Sequence, residues 1–328
     1  MASVMDIFAV RSILRLGAMV IAGTAAFTPL SAQDWPQRTV KVLIPFGPGS
    51  STDIAARIVS DKLQAAWGKP VVVEPRPGGD AFVAINALVS ADDHTLLLAP
   101  SSAFVAHPYR YAKVSYDRER DLIPVAQMSA AIAGLAVPAA SGMTSLKDFI
   151  DGARANPGTL NVAAAPSTSE MMVDVFLKEQ NLQVAKVPYR DIVQGVTDLT
   201  TSRIQGMFAA VTIFQAGVEA KTLRVISVTG KNRTPVAPGV ATAEEQGHPK
   251  FGIEGIIGVF AQRSMAAEAR AKLAKDFLKV VTEPDVTGRL TSIGQVSAPG
   301  DAAVFAASIA RQQAEFEAIN KIVPVPLK

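Results

Sequence analysis

The residues best placed to do chemistry form one short run, Gly47-Pro48-Gly49-Ser50-Ser51-Thr52-Asp53. It holds two glycines, three hydroxyls and a carboxylate, but no lysine, cysteine or histidine. Such a set suits anion binding better than bond making. Hydroxyls and backbone N–H groups can surround an anion, and glycine lets the main chain come close to it. Without a lysine the run is not a P-loop, and its G-x-G-x-x-T spacing matches a dinucleotide fingerprint only weakly. The plain alternative is an ordinary turn between a strand and a helix.

The flanking residues say what holds the run. Val40, Val42 and Ile44 alternate with Lys41 and Leu43, the pattern of a mostly buried strand. Ile54, Ile58, Val59, Leu63 and Trp67 then recur at helical spacing, and Ser50–Asp53 supplies N-cap residues. A helix start carries unpaired N–H groups and a partial positive charge. Strand, glycine turn, hydroxyls, helix is therefore the expected order.

The same device returns along the chain. Thr95–Ala99 reads as a strand with Ser101 and Ser102 at its end. Leu160–Ala164 reads as a strand followed by Ser167, Thr168 and Ser169, then a helix. Val184–Val187 is a strand leading to Tyr189, Arg190 and Asp191. Short strands alternating with helices predict α/β architecture, with ligands outside the carboxyl ends of the strands. Tyr109–Asp121 reads as a surface loop, and Thr242–Gln246 as a short helix. The chain closes with helices at Ala266–Thr282, Asp285–Ile293 and Asp301–Ile322, with no element read between the last two.

Bulk composition narrows the function classes. The 328 residues are 49% apolar and 19% charged, enough for two ordinary domains, with a net charge of only +3. No basic stripe with interleaved aromatics appears, so nucleic acid is not an expected partner. There is no cysteine, and the three histidines, His94, His107 and His248, are scattered, so no metal site and no cofactor is expected. The first 32 residues read as an export signal: Arg11 and Arg15 flank an apolar run, Leu16–Phe27, followed by small residues. An uncleaved anchor is the alternative.

Several ordered motifs resemble the periplasmic solute-binding proteins of tripartite tricarboxylate transporters, often called Bug proteins. They are Pro45-Phe46 with Gly49 and Ser51-Thr52-Asp53; Val71–Glu74 then Arg76-Pro77-Gly78; Thr95–Leu98; Tyr116-Asp117 then Asp121; Pro157-Gly158 with Leu160-Asn161; Val187-Pro188-Tyr189; and Asp198-Leu199. The resemblance implies a two-lobe periplasmic binding protein fold. Each lobe would be a mostly parallel sheet flanked by helices, and crossing hinge strands would join them near Gln127–Ser129 and Glu254–Gly258. Lobe one would hold residues 33–128 and 256–328, and lobe two residues 129–255. It also implies a small carboxylate closed between the lobes, delivery to membrane permease subunits, and a monomer in the periplasm.

Carried onto this sequence, the ligand positions are Gly49, Ser50, Ser51, Thr52, Asp53, Ser101 and Ser102 in lobe one. In lobe two they are Ser167, Thr168, Ser169, Tyr189, Arg190, Asp191 and Ala209. Asp53 is expected to brace its helix rather than touch ligand. Tyr189 serves either the ligand or lobe packing, and Arg190 either the ligand or solvent. Ser50 and Asp191 stand where the family usually has glycine. Gln205 and Ala209 stand where it often has aspartates, so a ligand without an amino group is expected. The same fold could instead feed a signalling receptor. A nucleotide-binding α/β enzyme is the weaker rival, because no histidine lies beside a nucleophile turn.

Overall fold

The computed structural model describes residues 35–164, 168–189 and 192–324. The proposed export signal lies outside them. The strands are β1 (Val40–Ile44), β2 (Val71–Pro75), β3 (Thr95–Pro100), β4 (Ile123–Ala131), β5 (Ala133–Pro138), β6 (Asn161–Ala164), β7 (Ala185–Lys186), β8 (Gly206–Ala210), β9 (Leu223–Val228), β10 (Gly255–Ala261) and β11 (Gln295–Gly300). They form two sheets, ordered β11-β4-β10-β3-β1-β2 and β7-β6-β8-β5-β9. The α/β class expected from the sequence stands.

Strand periodicity explains how the first sheet is covered. Val40, Val42, Ile44, Leu96 and Leu98 point to one face, into a core built with the helices Ser51–Trp67, Ala267–Val281 and Pro284–Ser292. Leu43, Leu97 and Ala99 point to the other, against Ile85, Leu88, Phe104 and Phe305. Both faces are dry, so the central strands read as nearly unbroken apolar runs. In the second sheet, Phe149, Phe176, Met207 and Phe208 share a continuous core with that second face.

Among the named strands, parallel pairs join β1 to β2 and β3, and β6 to β7 and β8. The strands that pass between sheets, β4, β5 and β10, pair antiparallel with their neighbours. Four of the six strands in the first sheet and four of the five in the second therefore run the same way, with antiparallel strands where the chain crosses between them. The outward passage is abrupt. β4 ends at Ala131 and β5 begins at Ala133, so Ile132 alone separates the sheets. The return runs through residues 229–254 to β10. The C-terminal helix Ala302–Ile322 packs on Thr168–Glu179, where Lys178 Nζ donates to the Ile322 carbonyl.

Three local expectations change. Residues 295–300 form an edge strand on β4, although Pro299 and Gly300 argue against one by composition. Thr242–Gln246 is a hydrogen-bonded turn instead of a helix: Thr242 and Glu245 cap each other, but Gly247 at φ +84° ends the run after one turn. Tyr109–Asp121 is not a plain surface loop, because it places Arg110 and Tyr116 in the interior.

Candidate functional site

The run after β1 is held by bonds within itself. Gly49 sits at φ +82°, where a side chain would be strained. Ser50 is the N-cap, extended at φ −65° and ψ 156°, and its Oγ accepts from the Asp53 N–H at 3.2 Å. The Asp53 carboxylate folds back to accept from the Gly49 N–H at 2.9 Å and pairs with Arg57 at 3.0 Å. Asp53 is only 3% exposed. Burial pushes its carboxyl up, but the bonds from Arg57 and Gly49 outweigh this and hold it below the usual range. Its oxygens thus brace the loop.

The helix start leaves backbone donors unpaired, at the exposed Ser51 and at Thr52, which is only 4% exposed. Among the described residues the backbone N–H groups of Ser51 and Thr52 have no hydrogen-bond acceptor. Ser51 is exposed. Its carbonyl accepts from Gln295 Nε2 at 3.0 Å, and Gln295 Oε1 accepts from Ser129 Oγ at 2.8 Å. Gln295 is 1% exposed, so a buried amide from the far end of the chain fixes the first turn of this helix.

A second loop stands beside it, since the Arg76 N–H donates to the Ile44 carbonyl at 2.8 Å. Four successive residues, Gly78, Gly79, Asp80 and Ala81, have positive φ (118°, 57°, 52° and 75°). Two of them carry side chains, so this backbone is strained and must be held. The Asp80 carboxylate accepts from Arg110 Nη1 at 2.6 Å and from the Tyr111 hydroxyl at 3.2 Å. The Asp80 carbonyl can only accept, so His107 Nε2 donates to it at 2.8 Å. His107 Nδ1 then accepts from the Tyr116 hydroxyl at 2.8 Å. Burial holds the imidazole below its ordinary pKa and the Tyr116 phenol above its own.

The other expected positions divide. Ser101 is fully buried, its Oγ facing Gln312 Oε1 at 2.5 Å and the Ile256 carbonyl at 3.2 Å. Gln312 Nε2 in turn donates to the Glu254 carbonyl at 2.6 Å. This hydroxyl therefore ties β3 to β10. Ser102 follows at the helix start with its Oγ unbonded among the described residues. Ser169 is half-buried in the first turn of Thr168–Glu179. The half-buried Tyr189 donates its hydroxyl to Asp198 at 2.8 Å, and burial together with that carboxylate pushes the phenol up to about 12. Ala209 is 1% exposed inside β8, opposite Gly134. The Gln205 amide is engaged by the Asn161 N–H and the Ser202 carbonyl. Ser167, Arg190, Asp191 and the side chain of Thr168 lie outside the described residues.

The loop after β1 reaches the passage between the sheets through Gln295. Gln295, which holds Ser51, lies opposite Ala131 on β4, and two residues on Ala133 pairs with Ala210 on β8. The preceding Gly294 approaches Thr212 so closely that a Cβ there would stand 2.8 Å from Thr212 Oγ1. The loop after β1 and the end of β8 thus share one crossing point. No hydrogen bond among the described residues joins Ser169 or Tyr189 to that loop. Sequence reasoning missed Gln295, Gln312 and the Asp80–Arg110 pair. Only Gln312 left a signal, as an amide on the apolar face that holds Phe305, Ile309 and Phe316.

Comparison with known proteins identifies the family and the fold. Residues 55–323 match the family described as "Tripartite tricarboxylate transporter family receptor". A protein from the tcbD–tcbE intergenic region of Pseudomonas sp. strain P51 is 32% identical over 297 residues, covering 89% of this chain and 88% of that protein. Two solved structures from Rhodopseudomonas palustris share the fold. MatC, with bound malate, has a TM-score of 0.71 at 24% identity, covering 87% of this chain and 99% of that one. Rpa4515, with adipate, has a TM-score of 0.74 at 22% identity, covering 88% and 98%. The matched family comprises periplasmic solute-binding proteins and not enzymes. With the match spanning most of its length, the chain belongs to the tripartite tricarboxylate transporter receptor family, whose members are also known as Bug proteins.

Proposed function

We propose that this chain captures a small carboxylate between its two sheets and hands it to the membrane permease of a tripartite transporter, after export through residues 1–32. The observation that carries the reading is the pair of unoccupied N–H donors at Ser51 and Thr52, fixed in place by Asp53 and Gln295. A carboxylate accepting from both gains two charge-assisted bonds and the favourable end of a 17-residue helix. The rest of the grip is assigned to Ser50, Ser102 and Ser169. The malate and adipate seated in the two neighbours support a dicarboxylate. Lobes on this reading follow the sheets, with Ile132 and the return segment as hinges that bend to enclose the ligand. Among the described residues no helix is long and apolar enough to cross a membrane.

Ala209 and the engaged amide of Gln205 put no acid at β8. An amino group would find no counter-charge there, so succinate, malate and adipate should bind more tightly than aspartate. A thermal-shift series over mono-, di- and tricarboxylates tests this, since stabilisation grows with the logarithm of ligand over Kd. Tighter binding of aspartate than of succinate would reject the ligand assignment.

A further inference from the structure

β8 ends at Ala210, and a short 3₁₀ turn, Val211–Phe214, follows it at the carboxyl edge of the second sheet. Its parallel neighbour β6 ends at the same edge, with Ala164 opposite Phe208, and precedes the helix Thr168–Glu179. Ligands of α/β folds sit outside such carboxyl ends. The Val211 N–H donates to the Ile132 carbonyl at 3.1 Å, which ties the turn to the residue between the sheets. Thr212 comes next. It is half-buried, and its side chain packs against Gly294, the residue before Gln295. Gln295 holds the Ser51 carbonyl, and neighbouring Cα atoms are about 3.8 Å apart. Thr212 and the loop after β1 therefore rest on consecutive residues of the first sheet. The Thr212 hydroxyl has no hydrogen-bond partner among the described residues. Thr200, Thr222 and Thr287 instead donate theirs to nearby carbonyls at 2.9, 3.1 and 3.1 Å.

We propose that Thr212 is a specificity-determining residue of the interlobe site, donating its hydroxyl to the far carboxylate of a dicarboxylate whose near carboxylate lies on the Ser51 and Thr52 N–H groups. The assignment rests on the interlobe reading above and names what the second sheet contributes to it. Other groups at that edge are committed or apolar: the Tyr189 hydroxyl goes to Asp198, and Ala209 offers no polar side chain. A threonine side chain is stiff at χ1, and the backbone of Gly294 confines it further, so the hydroxyl is held ready before the ligand arrives. A monocarboxylate of the same length would set a methyl against this hydroxyl and leave it unpaired when the lobes close. A site made to hydrogen-bond one group discriminates strongly against an analogue that lacks it. Thr212 would thus separate diacids from monoacids without a buried counter-charge.

The test is calorimetry on the full exported chain with acids of matched length, succinate against butyrate and adipate against hexanoate, the monoacids read by competition with the diacid. Thr212→Val keeps the shape and the packing on Gly294 and deletes only the hydroxyl. It should weaken the better-bound diacid about tenfold and leave the matching monoacid within about twofold. Thr212→Ser restores a hydroxyl and should hold the diacid within about threefold of the parent. Diacid binding unchanged in Thr212→Val overturns the proposal and leaves the proposed function standing. Equal weakening of diacid and monoacid also overturns it, because the effect then lies in the seating of Gly294 and Gln295 and not in a bond to the ligand. So does a serine variant as weak as the valine one. A parent chain that binds neither succinate nor adipate overturns the ligand class proposed above, and this assignment with it.

Discussion

Replacing Ser51 by proline tests whether the helix start is the anion holder. Proline removes one N–H and leaves the rest of the loop in place, because Ser51 is the first helical residue, where proline is well tolerated. The residue before a proline must be extended, and Ser50 already is, at φ −65° and ψ 156°. The Ser51 carbonyl keeps its bond from Gln295. Stability should therefore hold, or rise by about 0.4–1 kcal/mol through a stiffer unfolded chain. A hydrogen bond to a charged group is worth about 1.5–3 kcal/mol, so the Kd for succinate should rise roughly 10- to 150-fold. Ser51→Ala is the control, since it deletes the hydroxyl and keeps the N–H. Calorimetry at fixed ionic strength reads both variants. If proline and alanine at this position bind succinate within twofold of each other, the backbone donor plays no part and the reasoning fails.

Other consequences can be checked in the same way. Asp80→Asn keeps a side chain that tolerates positive φ but removes the charge facing Arg110. Chemical denaturation should show a loss of about 3 kcal/mol, and a change under 0.5 kcal/mol would show that the charge is not needed. Gly294→Ala forces a left-handed alanine and crowds Thr212, for a combined loss of about 2–4 kcal/mol. Thr212→Gly in the same chain should recover the crowding part, and an identical loss in both backgrounds would refute the contact. Glu254 carries a carboxyl raised by burial, against the weaker pull of Arg311 and Lys231. Stability from such a group is whole below its unfolded value, near 4.5, and fades as pH climbs through the raised native value. Glu254→Gln should thus melt higher than the parent at neutral pH, with the gap closing as acid approaches 4.5. A gap that widens in acid would reverse the assignment.

How much of this was legible depends on whether a feature is local. The β1 turn could be read because every part of it, from Val40 to Asp53, lies within one stretch of chain. Alternation set the strand, glycine set the turn, and Ser50 set the helix start. Asp53 as a brace was equally readable, since its partners Gly49 and Arg57 are four residues away on either side. Ser101 misled because a hydroxyl after a strand looks the same whether it faces a cleft or, as here, the buried Gln312. That choice is made by a helix two hundred residues later. β11 was missed for a related reason. Its pairing with β4 is enforced by the tertiary neighbour, while its own residues favour a loop. The Asp80 cluster joins a glycine turn to an apparently polar loop, and only packing shows that the loop turns inward.

The bond from Gln295 to Ser51 has a consequence for biosynthesis. A polypeptide leaves the ribosome, and threads an export channel, starting from its amino end. The segment that clasps the first helix is therefore among the last to emerge. The clasp on Ser51 can therefore close only after about nine-tenths of the 328 residues have been made, and a copy that stops before Gln295 has a first helix whose opening turn nothing holds.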